Sequence, residues 1–415
     1  MRSHRVCLIT GQYPPDLGGV GNSAKRVASL LASRGIEVHV LHLVKRPEPV
    51  PLDLAIEMTR EGDVCVHRAR VWHPDWRAPG AALTEPEVLT RYNREIFEVV
   101  HRLQRRHRFS LLHGFFLYPA GYAAALAARM HGIRSIVSIR GNDVGKYLFD
   151  PLRAGFVASA LAHADAVTSV ARSLLEAADA GLAPVAAKGR VILNSIEPDA
   201  FAARRRPALA LDSPVIGSAG LFRYKKGLTY LFRALAGLRA RQRFSLLLAG
   251  AFFDAKEEAS HRREIAELGL EPQTHVTGRL SRDAFLDHLA LFDVVAFPSL
   301  FSEGCPLAML EALAAGRVVV ASRAGAIPEI VEHGESGWLV EPGSSGELET
   351  ACERLLGDRA LRARLSEGAR RRAEELAPEL ERSAWLALYA QVLDSSGERS
   401  AAPERAASER MARTN

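Results

Sequence analysis

Cysteine is scarce in this chain. There are 4 in 415 residues, Cys7, Cys65, Cys305 and Cys352, and no two stand in a Cys-x-x-Cys spacing. That argues against a zinc ribbon or a disulfide framework, and a reducing cytoplasm is the simpler setting. No Asp-x-Asp pair occurs, so the carboxylates that would hold a divalent ion against substrate phosphates are missing, and metal-independent chemistry is expected. A signal-peptide core is also lacking, since the apolar run at 6–10 is too short. Charge of one sign is only mildly in excess: 54 Lys and Arg stand against 48 Asp and Glu, a net +6 with a pI near 9.3. This suits an anionic ligand or an anionic membrane surface, and without an accompanying motif it does not indicate nucleic acid. One run long enough for a membrane span, 109–128, has no Asp, Glu, Lys or Arg. It contains His113, Gly114, Pro119 and Gly121, and reads instead as a strand over 109–113, a turn, and an Ala-rich core helix from about Pro119.

What is present is ordinary for a globular protein. Hydrophobic residues make up 48% and charged residues 25%, and the length allows two or three domains, each with its own core. The chain opens with a strand over 5–10, a Gly/Pro-rich loop GQYPPDLGGVGN, a helix over 22–33 and a strand over 36–43. This order is a mononucleotide-binding half of a parallel sheet. Gly18, Gly19 and Gly21 would let backbone amides face a phosphate, although a plain tight turn has the same composition. Residues 45–80, rich in Pro, Arg and Trp, are expected to run over the surface. Trp72, His73, Pro74 and Trp76 could line an acceptor pocket or form a packed loop. Over 88–108, Ile96, Val99, Val100 and Leu103 make one helix face, and Arg91, Arg94, Arg102, Arg105 and Arg106 cover the other. A solvated surface is the commoner explanation for such a face, and contact with anionic lipid is the alternative.

A strand over 134–139 leads into Arg140, Gly141, Asn142 and Asp143, a loop at the carboxyl end of the sheet where α/β ligands bind. Arg140 or Asp143 is expected to meet acceptor or donor phosphate. Strands follow over 166–170 and 190–193, and the first domain is expected to end at 196. The linker 197–213 carries three consecutive arginines, 204–206. A second domain, 214–378, restarts the pattern with a strand over 215–219, the loop GLFRYKKGL and a helix from Leu228. Arg223, Lys225 and Lys226 precede that helix, where positive charge favours a diphosphate. Further strands are expected over 244–248, 275–278, 318–321 and 337–340, with a Ser281-capped helix between them. Residues 347–376 read as helical, 379–394 as a last helix, and 395–415 as a disordered tail.

The stretch Phe301–Gly316, FSEGCPLAMLEALAAG, carries the most chemistry. It follows an apolar strand over 294–298, and Pro306 suits a first helical position. Glu303 lies on the loop and Glu311 about one and a half turns into the helix. An ionised carboxylate accepts two hydrogen bonds from a vicinal diol, and Gly304 lets backbone approach a ligand. Glu311 sits among Leu307, Leu310 and Leu313, where an unpaired charge would be costly. The two glutamates could otherwise be solvated surface charges.

The run EGCPLAMLEALAAG resembles the E-x7-E signature of retaining glycosyltransferase family 4, and the likeness extends from about Val6 to Leu393. The resemblance implies a GT-B fold, an α/β class with two Rossmann-like domains whose parallel sheets face a central cleft. It implies that Glu303 contacts the donor sugar and Glu311 the ribose, with Gly304, Cys305, Pro306 and Leu307 beside the phosphates. Relatives often carry Phe-Gly where this chain has Cys305-Pro306. Gly18 and Gly19 match a Gly-Gly pair that touches the donor diphosphate. Relatives place a basic pair near the second glycine loop; Leu221 fills the first Arg position here, so Arg223 and Lys226 are the candidates. Arg279 and Leu280 would frame the nucleobase. Arg140 stands where many relatives have His. Asn194-Ser195-Ile196-Glu197 resembles the turn that closes the family's first domain, and the last helix would cross back onto that domain.

The expected function is retaining transfer of a sugar from a nucleotide-diphosphate sugar to an acceptor hydroxyl, without cofactor or metal. A small molecule, a glycan or a lipid-linked sugar would serve as acceptor. The expected location is the cytoplasm, with peripheral contact at the inner membrane face through 88–108, and no nucleic-acid partner. An epimerase or phosphorylase of the same fold, or a non-catalytic nucleotide-sugar binder, is the alternative.

Overall fold

The computed structural model describes residues 4–394 apart from 17, 142, 198–200, 202–204 and 302. Asn142, linker residue Arg204 and the expected tail 395–415 therefore lie outside the described residues. The chain forms two compact units: residues up to Ile192 together with those from Arg382, and Leu193–Glu381.

The first unit is built on eight strands: β1 (Arg5–Thr10), β2 (Glu37–Arg46), β3 (Ile56–Glu61), β4 (Val64–Trp72), β5 (Leu111–Phe115), β6 (Arg134–Ile139), β7 (Ala166–Ser169) and β8 (Gly189–Val191). Their order is β3-β4-β2-β1-β5-β6-β7-β8. Every pair is parallel except the β3–β4 hairpin. A parallel sheet must be covered on both faces. On one face Val6, Leu8, Val38 and Val40 pack with Val27 and Leu31 of the helix Gly19–Ala32 and with Trp385 and Tyr389. On the other, Ile9, Leu41 and Val71 meet Ile96, Val99 and Leu103 of the helix Glu85–His107.

Residues 45–80 depart from the expected surface run, because they contain the hairpin β3–β4 and extend the sheet. Gly62 makes the turn with φ 59°. Val64, Val66, Ala69 and Val71 are buried, and Arg68 and Arg70 bond to Glu61 and to the Leu54 carbonyl instead of meeting the core. The arginines hid the two-residue alternation. The strand expected at 109–113 runs two residues later, at Leu111–Phe115. It leads through a turn at Leu117–Gly121 into the helix Tyr122–His131. No helix among the described residues is long and apolar enough to cross a membrane.

The second unit has six parallel strands: β9 (Val215–Phe222), β10 (Ser245–Phe252), β11 (Thr274–Val276), β12 (Val294–Phe297), β13 (Val318–Ser322) and β14 (Trp338–Val340), in the order β11-β10-β9-β12-β13-β14. Ile216, Leu246, Leu248, Val294 and Val320 pack with Leu231, Leu235 and Leu355 to form its core. The expected helical stretch 347–376 is two helices, Ser345–Gly357 and Arg359–Glu375, because Asp358 caps the second by accepting from the Leu361 amide at 2.9 Å. Pro378 begins the last helix, Pro378–Asp394, a position where its missing N–H costs nothing. Tyr389 of that helix lies 2.6 Å from buried His113 on β5.

Candidate functional site

In the second unit, strand order reverses at β9, with β10 on one side and β12 on the other. Ligands of open α/β sheets bind outside the carboxyl ends of the strands at such a switch point. The loops leaving β9 and β12 meet there. The Leu300 amide donates to the Lys225 carbonyl at 2.9 Å. Gly227, at φ 67°, packs so closely that a Cβ would stand 2.0 Å from the Pro298 carbonyl oxygen. The second loop is thereby held against the first.

That contact brings three charges together. Glu303, only 6% exposed, lies 3.0 Å from Lys226 Nζ and 3.3 Å from Lys225 Nζ, and accepts from Ser299 Oγ at 3.1 Å. Burial raises the Glu303 pKa, but Lys226 and Lys225 outweigh it and hold the carboxyl below its ordinary value. Burial also lowers the Lys225 pKa, and Glu303 opposes that only in part. The two directions pull against a simple ion pair, and the geometry explains why. Two ammonium groups share one carboxylate, and the shorter contact goes to Lys226. The cluster keeps an excess positive charge in a poorly solvated place, which favours an anion. Arg223 is placed differently, with its guanidinium over the Phe253 ring at 3.9 Å.

The helix Leu307–Ala314 follows, with Pro306 as its N-cap instead of the expected first helical residue. Pro306 carries no N–H, so the amide donors of this turn belong to Gly304, Cys305 and Leu307. Cys305 is anchored from the chain segment after β8: Asn194 Nδ2 donates to its carbonyl at 3.0 Å. Ser195 in turn donates through N and Oγ to Glu381 Oε2, at 2.8 and 2.5 Å. Glu311 is 2% exposed, and its carboxylate receives the Arg282 guanidinium. Arg282 follows Ser281, which caps the helix Arg282–Leu289 by accepting from the Ala284 amide. Arg279 and Leu280 lie just before that cap, Arg279 exposed.

In the first unit the glycine loop leaves β1, and its helix begins earlier than expected. Gly18 is the N-cap and Gly19 the first helical residue. The β6 loop is organised by Asp143. Its buried carboxylate accepts from the amides of Arg140, Gly141 and Leu117, at 3.0–3.3 Å. Burial raises its pKa against those hydrogen bonds. Arg140, 9% exposed, bonds to Ser23 Oγ and stacks over Phe115 at 5.4 Å, so it links the glycine-loop helix to the β6 loop.

Two family models match the chain. "Glycosyl transferase 4-like domain" covers residues 18–195, and "Glycosyl transferases group 1" covers 199–372. The chain belongs to the GT-B glycosyltransferases. Over 365 residues it is 24% identical to an N-acetyl-alpha-D-glucosaminyl L-malate synthase of Bacillus anthracis, an alignment covering 86% of this chain and 89% of that one. Its fold is similar to that of a sucrose-phosphate synthase from Thermosynechococcus elongatus, with a TM-score of 0.77, 20% identity and coverage of 94% and 100%. HepE of Anabaena, in a complex with UDP, gives a TM-score of 0.72 at 19% identity, again covering 94% and 100%.

In this glycosyltransferase the structure brings Lys226, Glu303 and the Gly304–Leu307 turn together, and sets Glu311 four residues into the following helix. Sequence reasoning missed Lys225 as an equal partner of Glu303, and missed Ser299, Arg282 and Asn194. Lys225 had a signal, since it lies in the basic loop, but adjacent lysines are normally expected to point apart. Arg282 sits immediately after a capping serine and reads as a surface helix charge. Asn194 contacts Cys305 only through a tertiary meeting of segments 111 residues apart.

Proposed function

We propose that this glycosyltransferase takes a nucleotide-diphosphate sugar as donor and moves its sugar to an acceptor hydroxyl with retention of anomeric configuration. The observation that carries the reading is the Glu303 carboxylate held between Lys225 and Lys226 where the β9 and β12 loops meet. When the bond from the anomeric carbon to the diphosphate breaks, negative charge grows on the departing phosphate. Fixed ammonium groups aimed at it lower the barrier most. Lys226 and Lys225 take that role, with Arg223 beside them, and Glu303 exchanges part of its hold on the lysines for the sugar hydroxyls. Glu311 accepts from the ribose diol. Gly304, Cys305 and Leu307 offer amides, and Pro306 sets the turn. Arg279 and Leu280 flank the base, and Gly18 and Gly19 offer amides to phosphate. Asp143 accepts from its own loop and Arg140 bonds to Ser23 Oγ; one of this β6-loop pair meets acceptor or donor phosphate.

HepE of Anabaena, similar in fold, forms complexes with UDP and with UDP-glucose, which supports a uridine nucleotide as the first donor to try. Glu303 and Glu311 are engaged by Lys225 and Lys226 and by Arg282, and the charge on the diphosphate is met by the lysines. Retention follows from attack on the same face as departure, with the leaving phosphate accepting the acceptor's proton. The exposed arginines of the helix Glu85–His107 are proposed to contact anionic lipid if the acceptor is membrane-borne. A thermal-shift panel of nucleotide sugars tests the donor, since a ligand bound only by the native state raises Tm. Transfer by the selected donor, with NMR of the product anomer, tests the reaction. An inverted anomer, or no nucleotide sugar raising Tm, refutes it. Turnover of donor alone or with free phosphate would assign an epimerase or phosphorylase.

A further inference from the structure

We propose that His39, His67 and His107 form a binding site for a divalent transition metal of the zinc class, tying the end of a helix to the sheet of the first unit. His39 lies on β2 and His67 on β4, both toward the amino ends of their strands, while His107 is the last residue of the helix Glu85–His107. Each offers a ring nitrogen, and these three atoms all lie within 4.8 Å of one another. Tetrahedral zinc at 2.0–2.1 Å from each ligand needs nitrogen separations of roughly 3.3–3.4 Å. His39 Nδ1 and His67 Nε2 stand at 2.8 Å, and no separation in the trio exceeds 4.8 Å, so the ion enters when the His39–His67 pair opens by a few tenths of an ångström and the His107 ring closes by up to roughly 1.5 Å.

A second feature separates this cluster from an accidental one. His39 Nε2 lies 3.2 Å from Glu37 Oε1, and Glu37 Oε2 accepts from Arg5 Nε at 2.6 Å. A carboxylate on the far nitrogen fixes the ring's tautomer, leaves Nδ1 with its lone pair toward the cluster and makes it more basic. Histidine ligands of zinc are held in this way. The His107 carbonyl, at the negative end of its helix, also faces Arg5. Burial lowers the pKa of all three rings. Arg5 and Arg106 oppose a cation here, and Glu37 offsets them only in part.

Three imidazoles select zinc, cobalt, nickel or copper over magnesium and calcium, and a water completes the fourth position. Without metal, His67 Nε2–H donates to His39 Nδ1. On binding, His67 changes tautomer: the Nε2 proton is given up and one is taken up at Nδ1, so the ring stays neutral, and no oxidation state changes. The competing account is a hydrogen-bonded histidine pair packed against Phe109, whose ring lies 5.1 Å from His39.

The test uses the untagged full-length chain, stripped with EDTA and desalted, then titrated with Zn²⁺ or Co²⁺. We expect one equivalent retained through gel filtration, visible absorption of tetrahedral Co²⁺, and a Tm rise of roughly 5–10 °C at a hundredfold excess over Kd. His107→Ala should lose the equivalent and the Tm rise while keeping its circular dichroism and metal-free Tm. Glu37→Gln should weaken binding roughly ten- to a hundredfold. Failure of the parent to retain metal overturns the proposal. So does retention by both His107→Ala and His67→Asn, which would place the ion elsewhere.

Discussion

Glu303→Gln is the substitution that tests the site most directly. The carboxylate is 6% exposed and meets Lys226 at 3.0 Å and Lys225 at 3.3 Å. Glutamine keeps the shape and removes the charge. At an effective dielectric of about 20, a contact of this length is worth on the order of 5 kcal/mol before desolvation. Breaking a fully buried pair costs about 3–5 kcal/mol. The lysine side chains keep 28% and 25% exposure, so water recovers part of the loss, and about 2 kcal/mol is the expected destabilisation. For a unit of this size that lowers Tm by about 4–8 °C. Binding should respond in the other direction for one ligand. The free nucleoside diphosphate binds no more weakly to the variant, because two ammonium groups have lost their internal counter-charge. The nucleotide sugar loses the extra affinity that Glu303 supplies through the sugar hydroxyls, roughly ten- to a hundredfold. Calorimetry with both ligands reads the difference. If both affinities fall together, or neither changes, Glu303 does not exchange lysine for sugar and the reasoning is refuted.

Other substitutions probe the remaining parts. Lys226→Ala should reduce transfer on the order of a hundredfold with the fold intact; a rate within threefold of the parent would remove Lys226 from the leaving-group site. Glu311→Ala should weaken donor binding roughly tenfold or more, and unchanged calorimetric affinity rules out the ribose contact. Acid titration has a defined window. The Glu303 pKa is lowered from 4.5 in the folded state, so its stabilisation is complete above about pH 4.5 and is lost as pH falls through the lower folded value. The parent should therefore lose stability more steeply than Glu303→Gln in that range. Lys225 is lowered from 10.5, so diphosphate affinity should decline as pH rises through that lowered value, and Lys225→Met should flatten the decline. Tyr389→Phe leaves buried His113 Nδ1 without its 2.6 Å partner and should cost about 1–3 kcal/mol by thermal melting. Transfer measured in EDTA should keep its initial rate, and restoration by Mg²⁺ of a lost rate would contradict metal independence.

Much of the architecture was legible in order of appearance. Strand, glycine loop and helix repeat in both halves, and apolar runs such as Val294–Phe297 and Val318–Ser322 mark strands covered on both faces. The hairpin β3–β4 was not legible, because at a sheet edge Arg68 and Arg70 satisfy themselves on neighbouring polar groups and dilute the hydrophobic pattern. In the site, Glu303 and Glu311 were readable because two carboxylates at that spacing in an apolar setting need partners. Their partners were not readable. Lys225, Ser299 and Arg282 lie 78, 4 and 29 residues from the glutamates they meet, and only the Ser299 contact is near in sequence.

The sequence by itself determined which residue types would stand at the strand ends: a paired acid motif, a basic loop and two glycine-rich turns. Local spacing sets helix phase and caps, and those follow from backbone sterics and periodicity. Tertiary structure alone decided that Lys225 and Lys226 share one carboxylate, that Asn194 holds Cys305, and that three histidines from two strands and a helix end converge. Such meetings depend on which strands become neighbours and in what register. That choice is made by burial of whole faces, and no short stretch of sequence encodes it.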